Sequence, residues 1–253
     1  MKKILISIVL FFCFIGLAYA GPMMVQAQSG INYIFSDNWN TASDAGDNWT
    51  GEVDDTSEWT APSDAAVFTF SAAGDTGLLH VNLVSSYTNG IYAEVQMKLS
   101  ETDLGTSVDN VSVMSFCDKD TGSGLCNNAA NGLIMRLLAY NDNDGTEINR
   151  VRIGCMEDGG ESLSALSDIT DMIDDTYHMF KMYYKHETGE ATANGVCTVW
   201  VDDVQEITDT GLESYNVPGI DRYGIGPITN ATSAYAGGEI MTFDNTWVDD
   251  EGH

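Results

Sequence analysis

Five cations and three large aromatic residues recur at positions where chemistry could be done. Arg136, Arg150, Arg152, Lys181 and Lys185 alternate with apolar residues, and Tyr140, Tyr183 and Trp200 fall in the same stretches. In an extended strand, residues of one parity share one face. Over 132–140, Leu133, Met135, Leu137 and Ala139 take one side, so Arg136 and Tyr140 take the other. Val151, Ile153 and Cys155 likewise leave Arg150 and Arg152 outside; Phe180, Met182 and Tyr184 leave Lys181, Tyr183 and Lys185; Cys197, Val199 and Val201 leave Trp200. Aromatic rings pack against the C–H faces of sugars, and arginine holds a carboxylate or sulfate bidentately. Arg136, Tyr140, Arg150, Arg152, Lys181, Tyr183 and Trp200 are therefore the candidate ligand-binding residues, with an acidic polysaccharide as the expected partner. A solvated face whose charges serve solubility is the competing reading of the same pattern.

The 253-residue chain carries 38 Asp plus Glu against 10 Lys plus Arg, a formal charge of -28. Such a surface excludes a nucleic-acid binder and docking on anionic lipid, both of which need basic patches. With 43% hydrophobic residues the chain has ample material for a core. Lys2 and Lys3 precede an apolar run from Ile4 to Leu17, followed by Ala18-Tyr19-Ala20. That is the pattern of a signal peptide spanning 1–20, with cleavage after Ala20 and a secreted product. The run is too short for a membrane span. Losing Lys2 and Lys3 takes the charge from -28 to -30. Beyond Cys13, Cys117, Cys126, Cys155 and Cys197 remain. An even count in an exported chain favours disulfides, preferably Cys117–Cys126, which closes a small polar loop, and Cys155–Cys197. Free buried thiols are the alternative; zinc is disfavoured because no CxxC or HxxxH spacing is present.

Those residues need a scaffold, and short apolar alternations between turn clusters supply one. Strands are expected over 31–36, 66–71, 77–83, 91–99, 110–117, 132–140, 147–156, 177–186, 195–204, 220–226 and 237–248. This is the rhythm of an all-β antiparallel sandwich, read as a single domain over 21–253. Asn141 to Gly145 reads as a hairpin turn. Only Ser162 to Ile173 has helical spacing, and a long loop fits it equally. Trp39, Trp49 and Trp59 recur every ten residues in an acidic segment. They either stack on sugars or, the preferred reading, close one end of the sandwich.

Three segments in order resemble a known superfamily: Gly90 to Lys98 with its internal Glu94; the hairpin Tyr177-His178-Met179-Phe180-Lys181 through Val201-Asp202-Asp203; and the closing strand Gly238 to Asn245. They are similar to the corresponding strands of the concanavalin A-like lectins and glucanases, a group that includes laminin-G-like jelly rolls. The resemblance implies a jelly roll of two curved antiparallel sheets, with ligands on the concave sheet or its rim. It also implies possible calcium between the N-terminal segment and the closing strand, with Asp37 and Asp244 as ligands.

Catalytic machinery of that superfamily is poorly matched. Glucanases of this fold place paired carboxylates on one strand; the near match Glu52 to Glu58 is one residue too long and lies in the acidic, loop-like segment. The Gln-x-His strand of alginate-type lyases is absent, and Gln96 stands where their first strand has Arg. No G-x-S-x-G, HExxH or phosphate loop occurs. No residue is assigned a catalytic role, and the expected function is a non-catalytic carbohydrate-binding or adhesion module. The runner-up is a polysaccharide lyase. It would use Arg136, Arg150 or Arg152 to neutralise the uronate carboxylate, and Tyr183 or His186 to take the C5 proton. A self-assembling extracellular subunit is a third reading, in which Met23 to Val25 and Ile31 to Phe35 would pair with a neighbour's sheet edge.

Overall fold

The computed structural model describes residues 33–39, 49–54, 59–60, 65–72, 74–100, 110–122, 126–140, 150–165, 167–169, 175–228 and 238–250. The chain divides into residues 1–32 with His253, and Tyr33–Gly252; all described residues lie in the second unit. The signal peptide, the Asn141 to Gly145 turn, the Glu52 to Glu58 side chains and the Met23 to Val25 segment lie outside the described residues.

The strands are β1 (Phe35–Asp37), β2 (Gly51–Asp54), β3 (Trp59–Thr60), β4 (Ala66–Thr69), β5 (Gly77–Tyr87), β6 (Ile91–Leu99), β7 (Asn110–Cys117), β8 (Leu133–Tyr140), β9 (Arg150–Glu157), β10 (Gly160–Leu163), β11 (Ser167–Asp168), β12 (His178–Lys185), β13 (Gly195–Val201), β14 (Val204–Leu212), β15 (Ile220–Ile225) and β16 (Ile240–Asp249). A 3₁₀ turn at Ala129–Asn131 is the one helical element among the described residues. Two eight-stranded antiparallel sheets form. The front sheet runs β14-β13-β12-β6-β16-β4-β3, with β1 also on β16; the back sheet runs β10-β9-β8-β7-β15-β5-β2, with β11 on β9. Neighbours such as β6 and β16 are far apart in sequence, as a jelly roll requires.

Period-two burial drives the front sheet. On β6, Ile91, Ala93, Val95, Met97 and Leu99 are buried while the residues between them are half-buried, and β12 repeats the pattern with Phe180, Met182 and Tyr184. The inward sets of both sheets share one core. Every residue of β7 after Asn110 is buried, which marks a strand covered on both sides. The covering on its outer side includes a small cluster of Leu78, Cys117, Cys126, Leu133 and Ile228.

Both expected disulfides are present. Cys117–Cys126 closes the loop after β7, and Cys155–Cys197 ties β9 of the back sheet to β13 of the front sheet. The Trp trio belongs to the core. Trp39, Trp49 and Trp59 are almost fully buried, and Trp39 stacks on Trp49 with centroids 5.4 Å apart. Asp37 organises two of them, accepting the Trp39 backbone N–H at 2.9 Å and the Trp49 indole N–H at 3.0 Å.

Two expectations need correction. The strand over 195–204 stops at Val201, because Asp202 and Asp203 adopt φ of 50° and 65° and turn the chain back into β14. The helical spacing after Ser162 is overridden by pairing: β10 and β11 both hydrogen-bond to β9.

Candidate functional site

One row of side chains crosses four strands of the front sheet on the side away from the core. Trp200 of β13 is opposite Lys181 of β12, Lys181 is opposite Glu94 of β6, and Glu94 is opposite Trp247 of β16. The Lys181 ammonium lies 5.4 Å from the Tyr92 ring, 5.7 Å from Trp200 and 5.2 Å from Trp247. These distances put the cation within reach of three π-faces. The next row pairs Tyr183 with Tyr92, their rings stacked at 4.3 Å, and Tyr92 with Asp249. Tyr33 extends the aromatic surface, 5.7 Å from Trp247. Gly90 is demanded here twice over. Its φ is +124°, and a Cβ would meet the Tyr183 hydroxyl at 2.8 Å.

A β-bulge builds this site. Phe243 faces the core, and the register of β16 on β6 shifts between Asp244 and Thr246. Asn245 takes φ 39° at the bulge and donates its side-chain N–H to Gln96 Oε1 at 2.8 Å. Thr246 then meets the buried Tyr223 hydroxyl at 2.8 Å, and Trp247 emerges outward. Strict alternation from Phe243 would bury position 247, so the bulge re-aims the indole.

The electrostatics follow from burial. Glu94 accepts the Trp247 indole N–H at 3.1 Å. Desolvation raises its pKa to about 7, with Lys181 and the indole hydrogen bond opposing and Asp203 and Asp249 adding to the rise. Burial also raises Tyr92 and Tyr183, with Asp249 and the partner tyrosine as lesser causes, so both stay neutral phenols at physiological pH.

The expected binding residues do not gather on one face. Lys181, Tyr183 and Trp200 stand on the front sheet; Arg136, Tyr140, Arg150 and Arg152 belong to β8 and β9 of the back sheet. Alternation gave the outward sides of these strands except at Leu133, which a register shift beside Cys117 moves to the outer cluster, but it carries no information on which sheet a hairpin joins. On the back sheet Arg136 forms a fork with Glu161, Nε to Oε1 at 2.7 Å and a second nitrogen to Oε2 at 2.9 Å. Arg152 Nε donates to the Ser164 carbonyl at 2.9 Å, and Tyr140 is buried. His186, a candidate base, follows β12, where it is buried against the core residue Tyr184 and away from the row. The residues that sequence reasoning missed are Tyr92 and Glu94, whose outward parity was legible, and Trp247, which the bulge concealed.

The two expected calcium ligands do not meet either. Asp37 is turned into the core, where both carboxylate oxygens serve Trp39 and Trp49, while Asp244 follows the inward Phe243 and points to the other side. A different acidic triad exists: oxygens of Asp118, Asp120 and Asp221 lie within 4.8 Å of one another. Lys119 sits among them, its backbone N–H on Asp221 Oδ1 at 2.7 Å and its ammonium on Oδ2. The ammonium offsets part of the negative charge, that of Asp221 and Asp120.

No family model matches the sequence, and no curated relative matches it. Solved structures do. The marine PL-14 alginate lyase from Aplysia kurodai superposes with a TM-score of 0.63 at 11% identity, over 87% of this chain and 100% of that one. Alginate lyase Aly36B gives 0.60 at 14% identity, over 87% and 98%. The carbohydrate recognition domain of Emp47p gives 0.59 at 11% identity, over 87% and 96%. Two alginate lyases and a carbohydrate recognition domain therefore share this fold, an antiparallel jelly-roll sandwich of the concanavalin A-like type.

Proposed function

We propose that the protein binds carbohydrate on the outer face of its front sheet and acts as a secreted, non-catalytic recognition or adhesion module. The observation that carries this reading is the row Trp200–Lys181–Glu94–Trp247 beside the Tyr92–Tyr183 stack. Half-buried rings offer flat apolar area at low entropic cost, and the ammonium and carboxyl between them supply directional contacts to hydroxyl or carboxylate groups. Neighbours of the same fold include alginate lyases and a carbohydrate recognition domain, which supports a sugar as the ligand class. The sequence's leader pattern and the two disulfides support export. Affinity electrophoresis and calorimetry at low salt, with acidic and neutral polysaccharides, test the reading. Binding weakened tenfold or more by Trp200→Ala and by Lys181→Ala is expected; binding to no glycan, or binding that both variants retain in full, refutes it.

A lyase is the second reading, favoured by the same face holding a cation, two tyrosines and a carboxyl of pKa about 7. In such a reaction Lys181 would neutralise the uronate carboxylate, a base would take the C5 proton, and the C4–O bond would break as the leaving oxygen is protonated. Incubation with polyuronates while following ultraviolet absorbance of the unsaturated product decides between the two. Product that disappears in Tyr183→Phe or Glu94→Gln replaces the binding reading with catalysis.

A further inference from the structure

We propose that Glu94 selects which sugars the front face accepts: ionised, its carboxylate competes with an anionic sugar for Lys181, and neutral, it yields Lys181 and donates a hydrogen bond to the ligand. The inference rests on the carbohydrate reading above and adds charge selection to it.

Geometry puts Glu94 in the position to do this. It is opposite Lys181 on one side and Trp247 on the other, and the indole N–H fixes its carboxyl in the row. The ammonium lies within 5.7 Å of the three ring centroids, and its charge acts on that carboxyl. A ligand lying across the rings therefore meets Lys181 and Glu94 together. The titratable groups facing Glu94 are Lys181 from β12, Asp249 from β16, Asp203 from the β13–β14 turn, Tyr33 ahead of β1, and Tyr92 with Tyr183 in the adjoining row. The tyrosines remain neutral. Of the charged groups, two are acidic and one is basic, so an ionised Glu94 leaves Lys181 in negative surroundings that repel an anionic sugar. Protonation removes the negative charge standing next to the ammonium and converts an acceptor into a donor. With burial holding the carboxyl near pKa 7, both forms are populated around neutrality.

The test is calorimetry of wild type, Glu94→Gln and Lys181→Gln against alginate tetrasaccharide and, as the neutral reference, cellotetraose, at pH 5.5 and pH 8.5. Wild type is expected to bind the alginate tetrasaccharide at least about tenfold more tightly at pH 5.5, with no pH change for cellotetraose. Glu94→Gln should bind the acidic ligand at the tight level at both pH values, and Lys181→Gln weakly at both. A pH-independent wild type, or a Glu94→Gln variant that keeps the wild-type pH dependence, overturns the selection. A carboxyl-carbon NMR titration of Glu94 in the ligand-free protein separates the two failures. A midpoint near 4.5 overturns the role of Glu94 whatever binds. A midpoint near 7 with no binding by wild type or Glu94→Gln overturns the carbohydrate reading of the face, and the selection falls with it.

Discussion

The two outer faces of the sandwich carry cations on strands of the same alternation, yet they hold them differently. On the back sheet the chain itself satisfies the guanidinium groups: Arg136 by Glu161, Arg152 by the Ser164 carbonyl, and the nearly buried Arg222 by Asn82 Oδ1 at 2.9 Å. On the front sheet the Lys181 ammonium stands within 5.7 Å of three ring centroids and opposite Glu94. The lesson is that the partner of a charge, more than its presence, distinguishes a recognition face from a structural one.

The largest expected effect breaks the link between the faces. Replacing Cys155 and Cys197 together by Ala removes the covalent tie between β9 and β13 and should cost about 2–5 kcal/mol in urea unfolding. Lys181→Ala or Trp247→Ala should lower glycan affinity about 100-fold, as loss of a central contact does, with little change in unfolding midpoint. Arg136→Ala should do the reverse. It leaves the Glu161 carboxylate, whose side chain is 22% exposed, without its fork, at a cost of about 1–3 kcal/mol in stability and none in binding.

The two faces should also respond oppositely to pH. Glu94 has a folded pKa raised to about 7, so its contribution to stability is fully present below about 4.5 and is lost as pH rises through 7. His80, outward on β5 of the back sheet, is pushed down to about 4 by burial and by Arg222; its contribution is present above about 6.5 and is lost as pH falls through 4. Each slope is bounded by about 1.4 kcal/mol per pH unit for one proton. Unfolding measured from pH 4 to pH 8.5 should lose its alkaline-side decline in Glu94→Gln and its acid-side decline in His80→Gln. The smallest effect belongs to Arg150→Ala, which should change glycan affinity less than about twofold, since the residue lies on the other sheet.

Much of this was legible in the residues. Regular strands such as Ile91–Leu99 gave their bounds and faces because one side of each is buried and the other is not. Two disulfides were legible in the even count of cysteines behind a leader pattern, and the small polar loop between Cys117 and Cys126 favoured the pairing found among the three possible. What alternation cannot encode is which strands become neighbours. The β8–β9 and β12–β13 hairpins look alike in sequence, and only the non-local pairings, of β12 with β6 and of β7, beside β8, with β15, send them to different sheets. Trp247 was hidden for a local reason: a single bulged residue, Asn245, inverts the parity of the strand after it. The edge strand Val204–Leu212 lacks a buried face, so its sequence shows no alternation to read.

The central claim, that ligand lies on the front face around Lys181, is tested most directly by a nitrogen-15 NMR titration with acidic and neutral tetrasaccharides. The indole N–H signals of Trp200 and Trp247 should shift with ligand, while those of Trp39, Trp49 and Trp59 in the core and the Arg136, Arg150 and Arg152 Nε–H signals of the back sheet stay in place. Shifts confined to the arginine signals, with both front indoles unmoved, would contradict the account.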